Sequence, residues 1–484
     1  MGIVFRQSLN NTIITYIGFG IGAINTLFLY TRFLTEEYFG LVGVILSTSA
    51  ILAPLLAFGV PNTIVKYYSS FTEQKSTDGF LSLMLLLPLL FILPLALISY
   101  VANTAIGEFL ARENTIVKDY VWYIFLIGMA MAYFEVFFSW SKVQLRSVFG
   151  NFLKEVFVRA IVSILLILVY LELITVDLFL KALVGAYLLR TIIMKIYAYL
   201  LRSPKLRLVF PQNTSAVLKY SGLMILGASA AVLVLEIDRF MINQFIRIEN
   251  VAYYSVAIFI AAVIAVPSRA MHQITYPLTA ELLNKKDLAG LKQLYKKSSL
   301  TLYIAAGLVF LLIVLNLTDL YALLPESYRG GFTVVFLVGL AKVYDALLGN
   351  NNAILFSSDY YKTVLIFGAF LAVLTVLFNL WLIPAYGLNG AAIATFLAIF
   401  LYNTTKVVFV KLKFGFLPLS PETFKITGLL IFTGLLFYFL QFPFHPIINI
   451  AIKSALMVAM YIGVLFRFKI SSDVFGVLSK FLRR

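Results

Sequence analysis

Residues 79–102 read GFLSLMLLLPLLFILPLALISYVA. The run carries no ionisable side chain, and Pro88 and Pro94 are the only helix-breaking residues in it apart from the opening glycine. A helix needs about 20 mainly apolar residues to cross the hydrocarbon core of a bilayer, so this run is long enough to span. The same pattern recurs on both sides of it, at 8–33, 39–65, 120–141, 152–171 and 176–199. After a basic connection with Pro204 and Pro211 come 216–240, 252–274, 299–317, 331–356, 363–383 and 389–410, then 424–442 and 447–466. Spans of this kind fill a chain of 484 residues that is 62% hydrophobic and 12% charged. No soluble core could absorb so much apolar surface. The expected fold class is an all-α polytopic membrane protein with 14 transmembrane helices, because the helix satisfies its backbone polar groups internally where no water can.

A net charge of +16 would point a soluble chain towards nucleic acid, but here its distribution speaks to topology. With the N-terminus inside, 26 of the 38 Lys and Arg fall on inner segments and 7 on outer ones, the latter being Arg32, Arg112, Lys118, Lys181, Arg247, Arg329 and Lys453. Five lie within spans. Cytoplasmic loops collect such residues, so both termini are expected in the cytoplasm and no nucleic-acid partner is implied. The absence of cysteine excludes disulfides and thiolate metal sites. The first span reads as a retained helix rather than a cleaved signal peptide. The longest outer loop, 103–119, is too short for a domain. The inner segment 284–297 sets Leu288, Leu291, Leu294 and Tyr295 at helical spacing with lysines opposite, the pattern of a helix lying in the headgroup plane.

Two six-span blocks show weak internal similarity. In the first, Thr31-Arg32-Phe33 ends a span, and a return helix follows Glu36-Glu37-Tyr38-Phe39-Gly40 with Pro61 near its end. In the second, Asp238-Arg239-Phe240 and Val251-Ala252-Tyr253-Tyr254 occupy the corresponding places, with Pro267 in the return helix. An even number of spans per block makes the repeat parallel, about an axis along the membrane normal. The expected organisation is an N-lobe over 1–200, a cytoplasmic linker over 201–215, a C-lobe over 216–413, two further spans within 414–470 and a basic amphipathic tail over 471–484. The two lobes are expected to surround a central cavity.

Three segments carry a family resemblance: Arg32-Phe33-Leu34-Thr35-Glu36-Glu37-Tyr38-Phe39-Gly40; Ile237-Asp238-Arg239-Phe240-Met241-Ile242 with Tyr253-Tyr254-Ser255-Val256-Ala257; and Ile383-Pro384-Ala385-Tyr386-Gly387-Leu388-Asn389-Gly390-Ala391-Ala392-Ile393-Ala394-Thr395. In these the chain resembles the polysaccharide transporter family, the lipid-linked oligosaccharide and O-antigen flippases of the superfamily that also holds multidrug and toxin exporters. Gly40 and Gly390 stand where an outer hairpin turns into a helix and a side chain would obstruct, and Pro384 ends the preceding span. The resemblance implies a bacterial inner-membrane protein that moves an undecaprenyl-diphosphate-linked glycan across by alternating access, without enzymatic activity, for surface polysaccharide biosynthesis. It also implies membrane lipids as surroundings and a monomer that works beside the polysaccharide assembly machinery.

An ionisable group within a span is expensive and is a functional candidate by default. Lys342 lies about 16 Å along its helix from Gly331, near the bilayer centre. It is the first candidate for the diphosphate or an acidic sugar. Asp345 follows at i+3, either neutralising Lys342 locally or acting as a protonatable partner for coupling. Asn350 and Asn351, on the inner half of the same span with Asn352, suit a wet, substrate-binding surface. Arg269, beside Pro267 and Ser268, offers a guanidinium fork that matches diphosphate oxygens, though its depth also permits snorkelling. Glu135 and Arg159 sit at similar depth and are expected to form a structural ion pair, with a proton-sensing Glu135 as the sharper alternative. Arg190 is expected to snorkel, and Arg239, Glu236 and Asp238 to form an interfacial network. His272 and His445 lack the neighbours of a metal site, no cofactor is expected, and proton or sodium coupling stays open.

Alternatives are a drug or toxin antiporter of the same superfamily, which would favour acidic residues in its cavity; a flippase for a peptidoglycan lipid precursor; and a membrane glycosyltransferase or polymerase, which would present larger outer loops.

Overall fold

The computed structural model describes residues 3–71, 73–203, 205–206 and 213–468. The tail expected over 471–484, and residues 204 and 207–212 of the expected linker, lie outside the described residues. Every regular element among the described residues is helical. In chain order the helices used below are α1 (Ile3–Ile24), α2 (Glu36–Leu56), α3 (Gln74–Leu86), α4 (Leu89–Val101), α5 (Val121–Val143), α6 (Val158–Tyr170), α7 (Val176–Leu201) and α8 (Thr214–Phe245). They continue with α9 (Glu249–Ala262), α10 (Val266–Asn284), α11 (Leu288–Val314), α12 (Phe332–Leu347), α13 (Asn351–Ser357), α14 (Tyr361–Phe414), α15 (Pro421–Tyr438) and α16 (Pro446–Arg467). The chain separates into two compact units, Met1–Ser255 and Val256–Arg484.

The deciding run at 79–102 is divided between α3 and α4, and its two ends behave differently. Phe80, Leu81 and Met84 are fully buried in a core with Phe134, Trp140 and Met194. Leu90, Leu93, Leu97 and Val101 are all exposed. Their spacing places them along one face of the helix, and such a stripe suits contact with lipid. Ten helical stretches among the described residues are long and apolar enough to cross a membrane.

One of the ten, 362–414, belongs to α14, a 54-residue helix that would reach about 80 Å if straight. It is not straight. Gly387 leaves the helical region at φ 56° and ψ −132°, three residues after Pro384. The chain folds back so tightly that a Cβ on Gly390 would collide with the carbonyl oxygen of Leu382. Each arm is then about 40 Å long, enough for one crossing, as the separate spans at 363–383 and 389–410 anticipate. Gly40 is under a similar constraint, since a Cβ there would meet the carbonyl oxygen of Ile248. Thr35 caps the same turn by accepting from the Tyr38 amide, and Tyr30 stacks on Phe39 at 4.7 Å.

In the first unit α5 is central, packing on α2 and α7, while α8 packs on α2. In the second, α12 packs on α11 and α14, and α10 packs on α11 and α13. The amphipathic segment expected in the headgroup plane is instead the start of α11, with Asp287 accepting from the Gly290 amide at its head. Leu291 and Tyr295 are buried against Ile354, Leu355, Val410 and Phe416. Of the apolar stripe, Leu291 and Tyr295 are covered by protein, while Leu288 is exposed.

Gly390 and Gly368, both in α14, give a paired test. Gly390→Ala should cost about 1–3 kcal/mol through the backbone collision, read as a lower melting temperature of the purified protein in detergent. Gly368, with open space around its Cα, should accept alanine with no loss.

Candidate cargo and ion sites

Helix α12 begins after the Glu326–Gly331 turn and carries Lys342 and Asp345 one helical turn apart. No ion pair joins them among the described residues. Lys342 is half-buried and has neither an ion-pair nor a hydrogen-bond partner among the described residues. Asp345 meets a different cation: Lys406 on the second arm of α14, whose Nζ lies 4.0 Å from Asp345 Oδ1. Asn403, one turn before Lys406, donates its Nδ2 to the same carboxylate oxygen at 3.2 Å. Lys406 donates to Asn352 Oδ1 at 3.0 Å and sits 4.3 Å from the centre of the Tyr402 ring. The pair is lopsided in exposure, 1% for the lysine side chain and 44% for the aspartate. Tyr276 of α10 and Tyr402 lie within electrostatic reach of Asp345, and Tyr344 shares a 2.9 Å hydrogen bond with Thr404.

Lys406, counted with the inner basic residues although it lies within the span at 389–410, is not among the site residues expected from the sequence. The signal is present: Asn403 and Lys406 stand at i and i+3 inside an otherwise apolar span, and a polar pair on one helical face asks for a partner.

Asn350 and Asn351 require a correction. Both are expected on a wet surface, and both are buried, at 0% and 1% exposure. Gly349, at φ 56°, breaks the helix and turns the residues after it inward. The Asn350 side chain accepts from Ser298 Oγ at 3.1 Å and donates to Thr279 Oγ1 at 2.6 Å, while Asn351 Nδ2 donates to the Tyr295 hydroxyl at 2.6 Å. These amides fasten α10 and α11 to the break between α12 and α13. Of the three asparagines it is Asn352 that reaches the charged site. Arg269 lies on α10 just after the 3-10 turn Val263–Ala265, with its side chain exposed.

In the first unit the expected pair of Glu135 and Arg159 does not form. Glu135 is bound by Lys154 at 2.6 Å, and Arg159 by Glu155 at 3.0 Å, one turn before it. The cause is local. A π-turn at Leu153–Phe157 adds a residue to the helix and rotates the residues beyond it by about 100°, so equal depth does not give an equal facing direction. Arg190 does not snorkel; it is buried with its guanidinium 4.1 Å from the Phe134 ring and 4.8 Å from Tyr187. Near the end of α8, Arg239 holds Glu236 at 2.5 Å and donates to Ser255 Oγ, while Asp238 accepts from the Tyr254 hydroxyl.

Helices with lipid-facing stripes, a folded-back double span and charges settled against one another within apolar helices define an integral membrane protein. Its fold is shared with solved transporters. It is similar to the lipid II flippase MurJ in an inward closed conformation, with a TM-score of 0.73 at 13% identity over 95% of this chain and 99% of that one. It is also similar to an inward-facing multidrug resistance MATE family transporter of the MOP superfamily, with a TM-score of 0.63 at 15% identity over 84% and 94% of the two chains. At such identities the likeness is one of fold. No curated protein sequence gives a significant match. Residues 4–283, more than half the chain, match the model of the polysaccharide biosynthesis protein family, and the chain belongs to that family.

Substitution separates structural from exposed polar groups here. Asn350→Ala removes the buried side-chain hydrogen bonds to Ser298 and Thr279 and should cost about 1–3 kcal/mol, seen as a lower melting temperature. Lys342→Ala, which breaks no ion pair, should leave the melting temperature within error.

Proposed function

We propose that the protein is a flippase that carries an undecaprenyl-diphosphate-linked oligosaccharide from the cytoplasmic to the outer leaflet by alternating access, supplying surface polysaccharide biosynthesis. The observation that carries this reading is Lys342: a half-buried ammonium on an apolar helix, without an ion-pair partner among the described residues. A buried charge left unpaired is costly, and an anionic cargo offsets that cost during transport. Asp345, one turn away, does not cancel Lys342 because Lys406 engages it from the other side. Arg269, exposed on α10, is the second cation assigned to the diphosphate. Membership of the polysaccharide biosynthesis family supports a glycan cargo.

The topology that goes with this reading is fourteen spans in a bacterial inner membrane with both termini cytoplasmic. It comprises lobes over 1–200 and 216–413 and two closing spans. Asp345 and Glu135 are the ion-coupling candidates in it. A peptidoglycan precursor is the nearest rival cargo, since it presents the same diphosphate lipid and differs in the glycan.

Deletion of the gene should cause lipid-linked oligosaccharide to accumulate on the cytoplasmic face while peptidoglycan synthesis continues. Arrest of peptidoglycan synthesis instead would transfer the assignment to the rival cargo. In complemented cells, Lys342→Ala and Arg269→Ala should each reduce glycan export at least several-fold at equal protein levels. Normal export in both would remove them from the site.

A further inference from the structure

Lys406 is a cation placed where a free cation would be held. Its ammonium sits beside one carboxylate oxygen from Asp345, at 4.0 Å, and one amide oxygen from Asn352, at 3.0 Å, with the face of Tyr402 at 4.3 Å. A carboxylate, an amide carbonyl and an aromatic face are the groups that bind a monovalent cation in a dry setting. A fourth group braces the set by holding the carboxylate. Asn403 is fully buried, and its Oδ1 has no hydrogen-bond partner. Its orientation follows from the network, because turning the amide over would set two oxygens against each other at Asp345. An acceptor left idle in a buried site is unusual; it stands outside hydrogen-bond reach of the Lys406 ammonium, on the side chain that already touches the carboxylate. One negative charge suits one positive charge, and a divalent ion would ask for more carboxylates.

We propose that Asp345, Asn352 and Tyr402, braced by Asn403, form a monovalent-cation site that this chain fills with its own Lys406 ammonium. The tethered cation makes the folded protein indifferent to sodium. Removing the lysine opens the site to sodium ion. This inference stands apart from the identity of the cargo, because it concerns cation binding by the purified protein.

The test uses the full-length protein in detergent, compared in sodium chloride, potassium chloride and choline chloride at equal ionic strength. The wild-type melting temperature should be the same in all three. Lys406→Ala should melt lower in choline and recover by several degrees in sodium, since a ligand that binds only the folded state raises its stability. The recovery should vanish when Asp345→Asn is added. A wild-type protein stabilised by sodium through Asp345, or a Lys406→Ala variant that melts alike in all three salts, would overturn the proposal. Lys406→Ser, extracted and purified throughout in sodium chloride or in choline chloride, gives a second arm. Monodisperse protein in sodium alone supports the site; equal yield in both salts, or none in either, counts against it.

Discussion

A bilayer offers no water to a charge, and this constraint decides where the functional chemistry of the chain is concentrated. The backbone meets it by being helical among the described residues. Side-chain charges meet it by finding partners on the same or a neighbouring helix. Arg239 has Glu236, Lys154 has Glu135 and Arg159 has Glu155, while Arg190 lies against aromatic faces. Lys406 has Asp345 and Asn352. Lys342 departs from this rule, and the departure gives its helix functional weight.

Much of the fold is legible in the chain because the signals are one-dimensional. Apolar length and charge spacing are properties of the chain read in order, and the hairpin at Pro384, Gly387 and Gly390 is marked by residues whose chemistry breaks or crowds a helix. The burial of Leu291 and Tyr295 is half legible, since periodicity gives a face but not what covers it. Partner choice is not legible. Matching Glu135 with Arg159 uses depth alone, and the π-turn at Leu153–Phe157 alters the facing direction behind it. Polarity assigns Asn350 and Asn351 to a wet surface, yet the left-handed Gly349 turns them into hydroxyl groups on α10 and α11. A break of that kind is conformational, and glycine at one position does not announce it.

The two π-turns among the described residues of the first unit have the same origin. Besides the one at Leu153–Phe157, a second occupies Asn25–Leu29. Asn25 is buried, donating to the Arg159 carbonyl at 2.8 Å and accepting from Ser163 Oγ at 2.6 Å. A widened turn frees backbone groups from regular pairing, and a neighbouring polar side chain is needed to satisfy them. Gly18 permits the close approach, as a Cβ there would press on the carbonyl group of Glu155. The chain thus uses polar residues within its spans as fasteners as well as candidate sites, and burial distinguishes the two uses.

That distinction bears on how α12 presents charge. Asp345 is exposed enough to be felt from the polar side, while Lys406 is enclosed behind it. Without Lys406, the helix would display a lysine and an aspartate one turn apart, and an approaching polyanion would meet attraction and repulsion of similar strength. With Lys406 in place, the aspartate is neutralised from the rear. The field in front of α12 is then set by Lys342, so an enclosed residue makes the surface read as positive.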